Sequence, residues 1–286
     1  MSLFITSLNS GSNGNCYYVG NQHEAVLIDV GISCREIEKR MANLQLSMLK
    51  VKAIFISHEH TDHIRGVSSL AAKYQIAVYI TPLTLKRTQL IIPNQLLRTF
   101  STRMPVAIGA LQVTAFTKWH DAVEPHSFII EDNGIKVGVF TDIGKLCKEV
   151  IHYFKQCNAC FLESNYDEQM LEQGTYPVHL KNRIRGDRGH LSNQQAMELF
   201  INYRPTHLSH LLLSHLSKNN NCPNVVSELF NRHARQTQIM VASRYNETPV
   251  FSIQNKQPVV SRVVQTQKIK FVQMSLFQQE DAEMMI

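Results

Sequence analysis

No stretch of the sequence approaches the run of about 18 apolar residues that a transmembrane helix requires, which excludes a helical membrane-embedded protein. The opening segment, MSLFITSLNSGSNGN, lacks the basic start and long apolar centre of an export signal. A cytoplasmic protein is therefore expected. There is no tandem repeat and no low-complexity block, which argues against solenoids and arrays. The six cysteines (Cys16, Cys34, Cys147, Cys157, Cys160 and Cys222) are scattered, and without an export signal they read as reduced thiols. Cys157 and Cys160 have C-x-x-C spacing but no second half of a zinc site. Beside the apolar run NACFLES they read as small hydrophobes that pack. Acidic residues are the scarcer sign, 23 against 29 Lys plus Arg, giving +6. That excess fits a polyanionic partner such as nucleic acid, and it equally fits simple solubility.

Histidine, by contrast, is abundant. Thirteen in 286 residues is notable for a side chain that ligates metals and is costly to bury without a partner. With 44% apolar residues the chain can build one large core with a short appendage. The segments LFITSL, NCYYVG and AVLID read as strands, with the turn-rich SGSNGN between the first two. Ser33 can cap a helix carrying Ile37, Met41 and Leu44 at helical spacing. A buried strand KAIFIS follows, then alternating helical and strand patterns, then strands between about 111 and 141. The second half alternates helices near 145–154, 193–203 and 224–233 with the strands HLSHLLLS, IMVAS and PVFSI. This mixture predicts an α/β fold of two sheets packed together under outer helices. Residues 1–255 are expected to form that body. From 256 to 286 the composition turns Gln-rich and loses its glycine turns, which reads as a tail.

Three segments share one design, in which an apolar strand meets a hydroxyl residue and then a ligand-type side chain. These are IFIS-His58, VF-Thr141-Asp142 and LLLS-His215. Side chains at the ends of buried strands converge at one sheet edge, where α/β folds place ligands. The densest signal is His58-Glu59-His60-Thr61-Asp62-His63. Two histidines at i and i+2 leaving a strand can hold one ion, and Asp62 and His63 can reach a neighbouring one. Imidazole plus carboxylate suits zinc, manganese or iron.

This H-x-H-x-D-H motif resembles the signature of the metallo-β-lactamase superfamily, and other segments resemble its motifs in order. They are Asp29 in LIDVG, His120 in KWHDAVEP, Asp142 in FTDIG and His215 in LLLSHLS, so the likeness covers roughly residues 3 to 255. The resemblance implies an αββα sandwich of two mixed β-sheets flanked by helices. It also implies two divalent ions, Zn2+ or Mn2+. His58, His60 and His120 would hold one, Asp62, His63 and His215 the other, with Asp142 between them and Asp29 bracing the loops. His126 is a rival for His120, and His207 or His210 for His215. A pair of ions acidifies a shared water and stabilises charge on attacking and leaving oxygens, which names a hydrolytic reaction without naming its substrate.

The segments SGSNGN, HDAVEP, TDIG, ESNYD, YPVHLKNRIRGDRGHLSN and LSHLSKNNN resemble the YycJ/WalJ branch of that superfamily, with PhnP and RNase Z type phosphodiesterases as cousins. The branch implies a bacterial 5′-to-3′ DNA exonuclease acting in repair or replication, on DNA or on RNA. The chain departs from the pattern at Ser127, where glycine is expected. On physical grounds SGSNGN, through Ser10, Ser12, Asn13 and Asn15, can offer an anion nest. Lys145, Arg183, Arg185, Arg188 and Lys218 supply cations, and ESNYD adds Asn165. His190 suits protonation of a leaving oxygen, beside Asp62 as the other catalytic candidate, and Ser192 suits a helix cap. In the tail, Gln273-Met274-Ser275-Leu276-Phe277 resembles the pentapeptide that binds bacterial sliding clamps. Leu and Phe would dock in an apolar pocket there. The alternative reading is a small-molecule metallohydrolase for a cyclic phosphodiester or thioester.

Overall fold

The computed structural model describes residues 2–255, and the tail with Gln273–Phe277 lies outside them. The chain enters with strands β1 (Ser2–Asn9), β2 (Cys16–Gly20) and β3 (Ala25–Ile28), then helix α1 (Cys34–Asn43). Next come β4 (Val51–Phe55), α2 (Thr61–Ile64), α3 (Val67–Tyr74), β5 (Ala77–Tyr79), α4 (Pro82–Lys86) and β6 (Leu97–Arg98). Strands β7 (Pro105–Ile108), β8 (Leu111–Thr117), β9 (His126–Asp132) and β10 (Ile135–Phe140) follow, then α5 (Lys148–Phe154) and β11 (Ala159–Glu163). The rest is α6 (Glu168–Gln173), α7 (Val178–Arg185), α8 (Asn193–Tyr203), β12 (His210–Ser214), α9 (Pro223–Asn231), β13 (Gln238–Val241) and β14 (Phe251–Gln254).

Two seven-stranded sheets result, ordered β14-β1-β2-β3-β4-β5-β6 and β13-β12-β11-β10-β9-β8-β7. Each is mixed in the same way. The β14–β1–β2–β3 and β7–β8–β9–β10 pairings are antiparallel, whereas β3 to β6 and β10 to β13 run parallel through crossovers that contain helices. Period-two patterning decides which face each residue serves. In β3, Val26 and Ile28 join the inter-sheet core while Ala25 and Leu27 face the helices. In β11, Ala159 and Phe161 point inward, and Cys160 and Leu162 pack under the outer helices. Each fully buried Leu, Ile or Phe contributes about 1.5–3 kcal/mol, so this central layer dominates the cohesion of the fold. The outcome is the αββα sandwich, with α1, α3 and α4 on one face and α5, α8 and α9 on the other. Cys157 and Cys160 are free thiols inside the second outer cluster, and burial pushes both thiols up.

Element ends shifted where local chemistry overrode periodicity. The helix expected from about 145 begins only at Lys148, because the N-cap residue Cys147 is extended. Ser192 caps α8 in a full capping box with Gln195. Helix α7 was not foreseen. It buries no residue fully, so its sequence carries little core-facing periodicity.

Candidate metal centre

The parallel strands deliver the site. Asp29 follows β3, Ser57 and His58 lie just beyond β4, Asp142 beyond β10, Glu163 ends β11, and His215 follows β12. Asp29, Asp142 and His215 have φ of 60°, 54° and 57°, an arrangement that non-glycine residues rarely adopt. Such turns cost about 1–3 kcal/mol each and persist only when the surroundings hold them. Here Asp29 N donates to Phe55 O at 2.9 Å and His215 N to Ser10 Oγ at 2.7 Å. Gly31 permits the tightest approach, since a Cβ there would lie 1.7 Å from Asp62 O.

The structure brings the sequence-nominated side chains into overlapping groups whose ligand atoms lie within 4.8 Å of one another: His58, His60 and His120; Asp62, His63 and His215; and His58, His63 and Asp142. Asp142 touches both sides, with Oδ2 3.2 Å from His63 Nε2 and Oδ1 3.8 Å from His120 Nε2. The fit to metal ions rests on buried ligand atoms that make no hydrogen bond. His120 Nε2, His215 Nε2 and Asp142 Oδ2 are buried and have no hydrogen-bond partner among the described residues. His58 Nε2 and His60 Nδ1 face each other at 3.1 Å, close to the edge of about 3.3 Å for two nitrogens on one tetrahedral zinc. Buried polar atoms left unmatched cost roughly 1–3 kcal/mol apiece, and a shared cation would satisfy all of them.

Around these atoms a second ring of acceptors sets the imidazole tautomers. Asp29 is fully buried; it accepts from Ser57 N at 2.8 Å, Ser57 Oγ at 2.7 Å and His63 Nδ1 at 2.7 Å. Ser57 Oγ in turn meets His58 Nδ1 at 2.8 Å, and His120 Nδ1 donates to Gly189 O at 3.0 Å. Holding each Nδ1–H leaves each Nε2 turned to the centre.

Glu163 was missed in the sequence, although the run FLE has the same strand-then-ligand design. Its carboxylate is fully buried and accepts from Ile143 N at 2.7 Å, Leu191 N at 3.1 Å, His190 Nδ1 at 2.9 Å and His215 Nδ1 at 2.8 Å. With both oxygens committed, Glu163 acts as a brace and not as a free ligand. Lys118 was also missed. It is buried beside Asp142, Asp29 and Glu163, donates Nζ to Thr141 O at 2.7 Å, and is pushed down by burial.

Charge in the centre is balanced by these pairings. Burial opposes ionisation of Asp62, yet His63 and His215 hold it at about 2. Burial opposes the charged His215 as well, but Asp142, Asp62 and Glu163 raise it to about 10. His120, dominated by burial, falls to about 3. Glu163 is kept at about 2 by His190 and His215 despite its burial.

The rival histidines lie elsewhere. His126 meets Glu124 O and Thr102 Oγ1 at 2.8 and 3.0 Å, His207 points at Gln156 O, and His210 rests on Phe251. A cavity of about 280 Å³ opens over the centre, lined among others by Ser12, His60, Asp62, Asn165, Arg183 and His190. Ser12, Asn165 and Arg183 therefore face it, and Arg183 is already paired with Asp121 at 2.5 Å. Other substrate candidates are not placed there. Ser10 and Asn15 are buried braces, and the backbone N–H groups of Ser10, Gly11, Gly14 and Asn15 bond within the protein. Asn13 donates to Arg244 O, Lys145 pairs with Asp187 over the Trp119 ring, Arg185 pairs with Glu172, Arg188 is exposed, and Lys218 lies in a neighbouring cavity.

A family model described as a β-lactamase superfamily domain matches residues 24–215 of this chain. The chain belongs to the metallo-β-lactamase superfamily. It is 34% identical over 224 residues to the exodeoxyribonuclease YycJ of Bacillus anthracis, covering 77% of this chain and 85% of that one. It is 30% identical over 219 residues to the exodeoxyribonuclease WalJ of Streptococcus pneumoniae, covering 75% and 81%. Among solved structures, the metallo-β-lactamase fold protein YhfI from Bacillus subtilis superposes with a TM-score of 0.68 at 15% identity, over 88% of this chain and all of that one. That last likeness speaks to fold alone. As a metallo-β-lactamase superfamily member the chain is a metal-dependent hydrolase, and among the described residues no helix is long and apolar enough to cross a membrane.

Proposed function

We propose that the chain is a two-metal phosphodiesterase that shortens DNA from the 5′ end in repair or replication. The observation that carries this reading is the convergence of unpartnered His120 Nε2, His215 Nε2 and Asp142 Oδ2 beneath an open cavity. It occurs in a chain at 34% identity to a relative named as an exodeoxyribonuclease. His58, His60 and His120 would hold one ion and Asp62, His63 and His215 the other, with Asp142 reaching both. When bound, the ions, Zn2+ or Mn2+, would supply Lewis acidity and an acidified water.

The chain's own residues do the rest. Asn15 Nδ2 donates to Asp62 Oδ2 at 3.3 Å and orients the carboxylate at the cavity floor. Glu163 holds His190 Nδ1, which leaves His190 Nε2 as the atom able to give a proton to a departing 3′ oxygen. Tyr176, Leu180 and Ile184 form an apolar wall that a nucleobase can cover. Recruitment to the sliding clamp through Gln273–Phe277, and a cytoplasmic location, belong to the same proposal and rest on the sequence alone.

The test is degradation of end-labelled duplex DNA with manganese or zinc supplied, in parallel with Asp62→Ala and His190→Ala. Shortening from the 5′ end is expected in the wild type and absent in Asp62→Ala. His190→Ala should lose about 100-fold in turnover with its metal content intact. Turnover of a small phosphodiester or thioester without any DNA degradation would overturn the nuclease reading in favour of a metabolic hydrolase. For the tail, equal recovery of a Leu276→Ala/Phe277→Ala variant and the wild type on immobilised clamp would remove recruitment.

A further inference from the structure

A second cavity, of about 330 Å³, adjoins the metal centre and shares Ser217 with the first. Its lining includes Lys218, Arg244, Ser243, Asn221 and Tyr245 and, among the described residues, contains no Asp or Glu. That composition differs sharply from the neighbouring cavity, where carboxylates abound. The contrast extends to the cations. Arg183, Lys145 and Arg185 are each paired with a carboxylate, whereas no ion pair involves Lys218 or Arg244 among the described residues.

Arg244 is nevertheless held in place. Its Nη2 donates to Leu216 O at 3.0 Å and to Ser12 Oγ at 3.3 Å, and Asn13 Nδ2 donates to its carbonyl at 2.9 Å. It passes over Gly11, where a Cβ would lie 2.8 Å from Nη2. Ser12, which lines the metal cavity, thus touches the guanidinium that lines the next one. Tyr245 is pinned through its backbone, with N donating to Ser243 Oγ at 3.0 Å and O accepting from Arg40 at 2.9 Å. The residue is 66% exposed. A fixed cation, an exposed cation and an exposed aromatic residue beside a phosphodiesterase centre are the parts of a single-strand binding track.

We infer that this cavity is a subsite for the nucleotide flanking the scissile bond, in which Lys218 and Arg244 hold a phosphate and Tyr245 stacks on a base. The inference rests on the nucleic-acid reading above and adds a specificity for polymers over small diesters. Each phosphate-binding cation removed should lower the salt dependence of single-strand binding by about 0.7 in the slope of log K against log salt.

The experiment compares kcat/KM for a 5′-labelled single-stranded trideoxynucleotide with that for bis(p-nitrophenyl) phosphate. It uses the wild type, Lys218→Glu, Tyr245→Ala and Arg244→Gln. Because Lys218 and Tyr245 are both exposed, those two variants test the idea even where Arg244→Gln disturbs the loop at Ser12. The ratio of the two rates should fall about tenfold in Lys218→Glu and in Tyr245→Ala, with a shallower salt slope in Lys218→Glu. An unchanged ratio in both variants, with the wild type still cutting the trinucleotide, would overturn the subsite and leave the nuclease reading standing. A wild type that cuts only the small diester would overturn both.

Discussion

Replacing Glu163 by glutamine changes one atom and reverses the logic of the centre. The carboxylate accepts two backbone N–H groups on Oε2 and two imidazole Nδ1–H groups on Oε1. A glutamine amide offers one acceptor oxygen and one NH2. If its oxygen stays with Ile143 and Leu191, the NH2 faces two Nδ1–H groups, and each unmatched buried donor costs about 1–3 kcal/mol. Once metal has displaced the Nε2 proton, the neutral His215 ring could escape that cost only by moving its remaining proton from Nδ1 back to Nε2, where the metal should bind. The structural loss is thereby traded for a metal-binding loss of about 10–100-fold, or roughly 1.4–2.7 kcal/mol. Titrating the metal-free variant with zinc against a chromophoric chelator reads this directly, and urea unfolding of the metal-free form reads the residual instability. Wild-type affinity for both equivalents of metal in Glu163→Gln would refute the reasoning, since the tautomer of His215 would then not depend on Glu163.

Two further outcomes are expected. His215 is raised to about 10 and His63 well above its usual range in the metal-free chain, so near neutrality metal must displace protons from both rings. Protons compete less as pH rises, so zinc affinity should increase between about pH 6 and 8, by up to tenfold per unit for each proton displaced; an affinity that stays flat over that range would contradict this. Gly31→Ala puts a methyl group 1.7 Å from Asp62 O and 2.5 Å from Asn15 N. It should destabilise the fold by about 3 kcal/mol or more and strip the chain of metal; elemental analysis at wild-type metal content would show that the loop can yield.

Much of the architecture was legible from one dimension, because periodicity is a local property. Short apolar runs in AVLI, KAIFIS and HLLLS, and the N-cap residue Ser192, state which segments are strands and where a helix starts. The strand-end position of His58, Asp142 and His215 also followed from sequence, since a parallel strand hands over its last residues at a predictable edge. Helix α7 was illegible because it serves the cavity wall instead of the core.

The fold class, the catalogue of ligand-type side chains and the clustering of His58 to His63 all depend on residue type and spacing, and so they can be read in one dimension. Only the tertiary structure decided that Glu163 braces two histidines from segments 27 and 52 residues away. It also decided that Ser10, Gly11, Gly14 and Asn15 spend their N–H groups internally, and that Arg183 and Lys145 are paired with carboxylates while, among the described residues, Lys218 and Arg244 are not. Those outcomes depend on which acceptor or carboxylate lies within about 3 Å of each donor, a distance set by strands and loops far apart in the chain.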